Sequence, residues 1–239
     1  YSKLEKEIIN PENNLSLNEK ISEIKKNIVK KSKKINSSII KEFSKITYPN
    51  YWLLQSEKMI LYQIENFFLK EEKGIRCKIF TDSSNLFYTI VIFTEDRKKL
   101  FLDLISIFAF ENISIYQARI FTLANGSVID TFTISLDLNL KYEEHKSFLN
   151  DLSCKLNNME SLNIKVPTIP KIKKKIVKER IEISIDNESS STYTVLTVIT
   201  NDRKRLLYDI SRVLISNKLL IFSAKISTNG DFVEDSFHL

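Results

Sequence analysis

The 239-residue sequence has few of the residue types on which several classes of protein depend. Its two cysteines, Cys77 and Cys154, are too few for a disulfide framework or a zinc knuckle. Neither of its two histidines, His145 and His238, is followed by aspartate, so no His-Asp pair is available to hold a catalytic metal. No apolar run approaches the ~20 residues of a membrane span, and no signal peptide opens the chain. These absences predict a cytoplasmic protein that does not cross a membrane.

The net charge of +6 and the pI near 9.1 raise the possibility of nucleic-acid binding. The basic residues, however, concentrate at Lys25–Lys34 and Lys171–Lys178, which are expected to be helix or linker. Aromatic residues do occur on expected strands, but without the glycine-spaced signature of RNA-binding sheets; they are Tyr88, Phe93, Phe121 and Phe132. A solvated lysine-rich surface is therefore favoured over a nucleic-acid interface.

The most informative feature present is an internal repeat. Residues 94–122 and 200–228 align without a gap at a constant offset of 106. The pairs include Asp96-Arg97-Lys98 with Asp202-Arg203-Lys204, and Ala118-Arg119-Ile120 with Ala224-Lys225-Ile226. After a one-residue deletion, Asp130-Thr131-Phe132 aligns with Asp235-Ser236-Phe237. Such a repeat predicts one structural unit used twice.

Hydrophobic periodicity predicts a helical segment followed by β-rich units. Apolar residues recur at helical spacing in 17–35, in 39–46 and from about Ser56 to Lys70. In the first copy, strands are expected at 75–81, 86–94, 113–122 and 127–137, with a helix from Asp96 as N-cap to about Glu111 and another around Leu152. The strand Glu179–Asp186 can then close a ferredoxin-like βαββαβ unit.

The second copy is expected to follow an exposed linker at 157–178 that contains Pro167, Pro170 and a lysine run. Its predicted elements are strands at 193–200, 219–228 and 232–239 and a helix at 203–216. A second helix and a fourth strand are missing, so the sequence is expected to be a fragment cut inside its last domain. The predicted fold class is α+β.

A strand, Asp-Arg at a helix start, and a hairpin returning through Asp-Ser/Thr-Phe resemble the ACT domain, a small regulatory module that usually binds amino acids. Further motifs resemble the C-terminal region of the bifunctional PII uridylyltransferase/uridylyl-removing enzymes; they are Tyr48-Pro49-Asn50-Tyr51-Trp52-Leu53, Ala118-Arg119-Ile120-Phe121-Thr122 and Ile185-Asp186-Asn187-Glu188. The resemblance implies a helical linker at 1–73 after an absent HD domain, a first ACT domain at 75–186 with a preceding β-hairpin strand, and an incomplete second one at 187–239.

In that family the ACT pair is expected to sense glutamine, and the whole enzyme modifies and demodifies the nitrogen-signalling protein PII. The resemblance implies contacts between the two ACT domains or with the HD domain. It implies Mg²⁺ only for the absent catalytic domains, and no cofactor for these residues. Two alternatives stay open, a free-standing amino-acid-binding ACT pair and a basic nucleic-acid-binding module of ferredoxin-like topology.

Ligands of ACT domains meet the turn between the first strand and the first helix, where free backbone N–H groups attract a carboxylate. The family pattern there is Asp-Arg-Pro-Gly-Leu, and both copies of this sequence lack its proline and glycine. In a second family pattern, Gly-x-Asn-Ile, the glycine is replaced by Asn112 in the first copy and by Lys218 in the second. The resemblance implies glutamine-binding candidates at these positions: Asp96, Arg97, Lys98, Lys99, Ser114, Asp202, Arg203, Lys204 and Arg205. Binding is expected to use the first turn more than the second.

A second recurrent polar set pairs Arg119 with Asp130 and Lys225 with Asp235. Each aspartate shares strand parity with apolar residues, so its carboxylate needs a partner. A structural cross-strand pair and a ligand or interface carboxylate are both consistent with this pattern. The sequence predicts that each basic residue lies directly opposite its aspartate or one diagonal step away.

Overall fold

The computed structural model describes residues 11–70, 74–81, 87–111, 113–135, 142–159, 181–188 and 193–239. The lysine run expected at 171–178 lies outside the described residues. Two compact units are present. The helical unit comprises the described residues up to Gly74 together with Leu123–Ser127, and the sheet unit comprises Ile75–Thr122 and Val128–Leu239.

The helical unit follows the predicted apolar periodicity. Its helices are α1 (Pro11–Lys31), α2 (Ser37–Ile46), α3 (Pro49–Leu53) and α4 (Glu57–Asn66), followed by a 3-10 turn at Phe68–Lys70. The side chains of Asn36 and Ser56 cap α2 and α4 by accepting hydrogen bonds from the N–H groups of Ile39 and Met59. Helix α3 is not among the predicted elements. It begins at a proline, whose fixed φ suits the first helical position.

Aromatic packing around Phe43 fills the core of this unit. Tyr51 and Trp52 both meet Phe43 edge-on, with ring centroids 5.3 and 5.8 Å away. The Tyr51 hydroxyl donates to Gln63, and the Trp52 indole N–H donates to Thr47 Oγ1 at 3.0 Å. Trp52 is therefore a core residue with a satisfied polar group, as its amphipathic ring requires when buried.

The sheet unit contains the two repeat copies. The elements of the first are β1 (Arg76–Thr81), β2 (Phe87–Glu95), α5 (Leu100–Phe110), β3 (Ser114–Thr122), β4 (Ser127–Ser135) and α6 (Tyr142–Asn157). Those of the second are β5 (Ile181–Asp186), β6 (Val195–Asn201), α7 (Leu206–Ser216), β7 (Ser223–Asn229) and β8 (Phe232–His238). This order agrees with an α+β fold of ferredoxin-like ACT units after an N-terminal helical region.

The eight strands of the described residues form one antiparallel sheet in the order β1-β2-β4-β3-β7-β8-β6-β5. The copies meet through β3 and β7, where Arg119 lies opposite Lys225. These two residues are equivalent in the repeat, so the sheet has an approximate two-fold axis at this pair. The two ACT-like copies thus pair side by side, with α5 and α7 packed against each other.

The strand expected to close the first copy belongs elsewhere. β5 pairs with β6 of the second copy, with Ile183 opposite Val198. In the first copy the corresponding edge is held by β1, where Ile79 lies opposite Ile90 of β2. Each edge position is therefore filled by the strand that precedes the unit, because an antiparallel hairpin needs only a short connection.

The predicted register of the two hairpins is wrong by one residue. Arg119 lies opposite Thr131 rather than Asp130, which faces Ile120. Lys225 lies opposite Ser236 rather than Asp235. The physical reason is strand parity: Ile120 and Phe132 both belong to the core, and the expected register would have placed them on opposite faces of the sheet.

The core of the sheet unit lies between the sheet and its helices. Phe108 of α5 packs against Phe132 of β4 with ring centroids 5.0 Å apart. Tyr88, Phe121 and Phe132 are buried, and Arg76 covers the Phe93 ring at 4.6 Å. These four aromatic side chains therefore do not form an open platform on which bases could stack. None of the helices in the described part of the chain combines the length and apolar character that crossing a membrane requires.

Candidate ligand-binding site

The turns that precede α5 and α7 have the same unusual backbone. Lys99 and Arg205 adopt the left-handed conformation, with φ of 65° and 63°, and neither offers a side-chain cap. Each helix begins at the following leucine, whose N–H donates to the carbonyl of Arg97 or Arg203 at 3.1 Å. The prediction that Asp96 is the N-cap of the first helix is therefore wrong, because the backbone closes the turn before the helix begins, and Asp202 in the second copy does not cap its helix either.

Each turn is also held by an ion pair to its own helix. Arg97 Nη1 lies 2.6 Å from Asp103 Oδ2, and Arg203 Nη1 lies 2.6 Å from Asp209 Oδ2. The same guanidinium groups donate to the carbonyls of Lys98 and Lys204. Arg97 and Arg203 are both predicted ligand-binding residues, but these contacts use their side chains to shape the turns. Exposed pairs of this kind contribute up to ~1 kcal/mol.

A cavity of about 580 Å³ opens beside the first turn. Asp96, Arg97, Lys98 and Lys99 line it together with the start of α5. Ile120 and Asp130 line it from the sheet, and the segment from Lys218 to Phe222 of the second copy completes its wall. We call this the first cavity. It lies at the junction of the two copies, so a ligand in it would contact both.

The equivalent space beside the second turn is much smaller, at about 110 Å³. We call it the second cavity. Asp202, Arg203, Lys204 and Arg205 line it, and Ser114 of the first copy faces it from the other side. Arg205 Nε donates to the Ala109 carbonyl at the end of α5, at 3.1 Å, so its side chain bridges the copies here.

The nine candidates from the sequence therefore divide between two places. Four lie at the first cavity, and the second turn and Ser114 lie at the other. Ser114 lies in the same repeat copy as the first turn, but the side-by-side pairing of the copies places it at the second cavity. The structure does not bring the nine residues into one site.

Asp130 is the residue of the first cavity that the candidate set omits. Its side chain is 1% exposed, and its Oδ1 atom has no hydrogen-bond partner among the described residues. Burial raises the pKa of this carboxyl well above its usual range. A hydrogen bond from the Phe121 backbone opposes the rise, and the charge of Asp96 adds to it. The parity of Asp130 with apolar residues on its strand is the sequence signal that left its role open between a structural pair and a ligand carboxylate.

Asp235 occupies the equivalent place in the second cavity. It is likewise 1% exposed, and its Oδ1 atom also lacks a partner in the described part of the chain. Burial raises the pKa of Asp235 to about 7. A hydrogen bond from the Ser227 backbone lowers this pKa, and the nearby charge of Asp202 raises it further. Across the described residues, no group of three or more His, Cys, Asp or Glu side chains is placed to hold a metal ion.

Comparison with known proteins identifies one matching family model and several related enzymes. Residues 182–236 match the family model described as "ACR9-like, ACT-like domain", a range that runs from β5 to β8. The bifunctional uridylyltransferase/uridylyl-removing enzyme of Azospirillum brasilense is 32% identical over 202 residues, which is 80% of this chain. The chain is a homologue of part of the bifunctional uridylyltransferase/uridylyl-removing enzymes.

Other uridylyltransferase/uridylyl-removing enzymes match at lower identity. That of Rhodospirillum rubrum is 26% identical over 80% of the chain, and that of Erythrobacter litoralis is 22% identical over 90%. These alignments cover 22%, 21% and 24% of the three enzymes, so the chain spans between a fifth and a quarter of their length. No solved structure gives a significant match.

Proposed function

We propose that this chain is the glutamine-sensing regulatory region of a bifunctional uridylyltransferase/uridylyl-removing enzyme that acts on the PII protein in the cytoplasm. The homology over 80% of the chain supports the enzyme family. The first cavity carries the sensing part of the proposal, because its volume of about 580 Å³ lies in the range of small-molecule sites.

The chemistry of the first cavity suits an amino acid. Its apolar wall includes Leu219, Leu220 and Phe222, and its polar side includes the start of α5. Backbone N–H groups in the first turn of a helix lack intrahelical partners and attract a carboxylate. The basic side chains of Lys98 and Lys218 lie on the same cavity and favour an anionic group there.

The second cavity fits a different role. A volume of about 110 Å³ is below that of ordinary ligand pockets, and Arg205 already bridges the space between the copies. We therefore assign one ligand to each chain, at the first cavity.

Regulation would follow from the position of the first cavity between the copies. A ligand that contacts both copies stabilises the arrangement in which they fit it best, and it shifts the equilibrium by its difference in affinity between states. In the enzyme, glutamine would favour the state that removes uridylyl groups from PII and suppress the state that adds them.

Titration calorimetry of the purified chain with L-glutamine tests the sensing role. We expect one binding event per chain, lost in Asp96→Ala, because Asp96 lines the first cavity. The matched control is Asp202→Ala at the second turn, which should keep the wild-type heat. Binding that survives Asp96→Ala and disappears in Asp202→Ala would reverse the assignment, and no heat from wild type would reject glutamine sensing.

The nucleic-acid alternative is less well supported, because the strand aromatics are buried or covered. A free-standing amino-acid-binding ACT pair would share the cavity and the calorimetric result. The coding sequence upstream of Tyr1 distinguishes it from the enzyme.

A further inference from the structure

Asp130 combines three properties that a structural carboxylate does not need together. It is almost completely buried, one of its oxygens is unpartnered among the described residues, and it lines a cavity large enough for a ligand. Leaving a buried polar group without a hydrogen-bond partner destabilises the folded protein, and a buried charge does so more strongly. A partner that enters the first cavity would remove this cost.

The charges around Asp130 indicate what that partner carries. The groups that line the same cavity are Asp96, Arg97, Lys98 and Lys99 from the turn and Lys218 from the second copy. The sheet residues Ile120, Thr122 and Val128 and the helix residues Leu100 and Phe101 bring no charge to it. Arg97 is held by Asp103, and Lys98, Lys99 and Lys218 are solvent-exposed. The buried end of the cavity therefore carries the carboxyl group of Asp130, and the exposed Asp96 is close enough for its charge to act on that group.

We propose that Asp130 is the cation-binding group of the first cavity and selects ligands that carry a positively charged amino group. This inference rests on the proposed function and makes it more specific. The ammonium group of an α-amino acid would pair with Asp130, while its carboxylate would meet the basic residues and the start of α5. The site thereby requires both charges of the ligand, and it discriminates against molecules that lack the amino group.

Proton release should accompany this recognition. Burial favours the protonated form of Asp130 in the empty cavity, and the Asp96 charge acts in the same direction. A bound ammonium favours the ionised form, so the carboxyl group loses its proton to the solvent as the ligand enters. Affinity should consequently fall as pH decreases, because the proton and the ligand compete for one carboxylate.

The test uses calorimetry on the full chain at several acidic and neutral pH values, because burial favours the protonated form of the Asp130 carboxyl in the empty cavity. L-glutamine is titrated in phosphate and in imidazole buffer, whose different ionisation heats reveal the protons released. Glutaramic acid, which is glutamine without its amino group, is the comparison ligand. We expect a net release of protons when glutamine binds, and an affinity for glutaramic acid that is lower by about tenfold or more.

Variants separate recognition from folding. Asp130→Asn should bind glutamine about tenfold or more weakly and release no proton. Asp235→Asn makes the same change in the second cavity and should preserve both the affinity and the proton count. Circular dichroism of both variants checks that they fold. If Asp130→Asn does not fold, the proton release and the glutaramic acid affinity of the wild-type chain still decide the question.

Three results would overturn the inference while leaving glutamine sensing in place. They are equal affinity for glutaramic acid, glutamine binding without proton release, and wild-type behaviour of a folded Asp130→Asn. Absence of any glutamine binding by wild type would overturn the proposed function and this inference together.

Discussion

At the scale of single residues, the left-handed turns persist without the glycine that usually permits them. Lys99, Arg205 and Lys218 have φ between 62° and 65°, and each stands where the family pattern has glycine. The left-handed region costs a non-glycine residue roughly 1–2 kcal/mol. The loss of glycine from the sequence thus removes a recognisable signal, whereas the backbone shape remains.

Replacing Lys99 by glycine should therefore stabilise the protein. Glycine relieves the left-handed strain but loses more chain entropy on folding, so the expected gain in the free energy of unfolding is about 0.5–1 kcal/mol. Urea denaturation measures it. The control is Lys98→Gly, since Lys98 does not have a positive φ and should gain nothing. A loss of stability in Lys99→Gly would show that the lysine side chain contributes more than the strain costs.

Asp235 should make stability depend on pH. Its folded-state pKa of about 7 exceeds the ordinary value of 3.8, so between these values the folded protein holds a proton that the unfolded chain has released. Stability due to this group therefore falls as pH rises through that window, by up to about 1.4 kcal/mol per pH unit, and is constant above it.

The variant Asp235→Asn removes this dependence. Relative to wild type, its free energy of unfolding should rise by about 1 kcal/mol or more between about pH 5 and pH 7. Urea titrations at the two pH values measure the difference, with the exposed Asp231→Asn as control. A constant difference between variant and wild type across this range would mean that Asp235 titrates at an ordinary pKa in the folded state.

At the scale of elements, the periodicity predicts most helices and strands but not how they are connected in space. The apolar alternation around Ile120 and Phe132 is enough to identify β3 and β4. The register is different, since a plausible charge pair between Arg119 and Asp130 competes with the burial of Ile120, and burial prevails. Helix starts are also misplaced, because the backbone of Lys99 and Arg205 ends each turn without a side-chain cap.

The junction between α5 and α7 offers an element-scale test. Arg205 Nε donates to the Ala109 carbonyl at the C-terminal end of α5, so Arg205→Ala removes a bond that links the two copies. We expect the free energy of unfolding to fall by about 0.5–1.5 kcal/mol, the usual net value of one hydrogen bond. Lys204→Ala, an exposed neighbour, is the control. Thermal denaturation with equal midpoints for both variants would argue against a stabilising link.

At the scale of the whole molecule, the repeat predicts two similar units, and the structure pairs them. The edge strand β5 could not be assigned from sequence, since a β-strand following a helix can close the preceding unit or open the next one. Ser114 is similar: its position depends on how the copies pair, and no local pattern encodes that. The parity of Asp130 with apolar residues indicates that it is buried, but a sequence does not reveal whether a cavity lies beside it.

The purified chain should have neither uridylyltransferase nor uridylyl-removing activity. Its sequence lacks a His-Asp metal pair and the paired aspartates of a nucleotide-bound Mg²⁺ site. Transfer of labelled uridylyl groups from UTP to PII, and their removal from modified PII, should both equal a blank without protein. The enzyme of Azospirillum brasilense serves as positive control. Turnover above the blank in either direction would mean that a catalytic site lies in these residues.

The link between the copies through β3 and β7 has a consequence for how this protein can evolve. In an assembly of two identical chains, every mutation is copied into both halves, so paired cavities change together. Here both halves belong to one polypeptide, and a mutation such as lysine to arginine at one turn leaves the other turn untouched. The two cavities, at about 580 and 110 Å³, already differ although the turns beside them are equivalent in the repeat. The halves also stay together at any dilution, because their association is intramolecular.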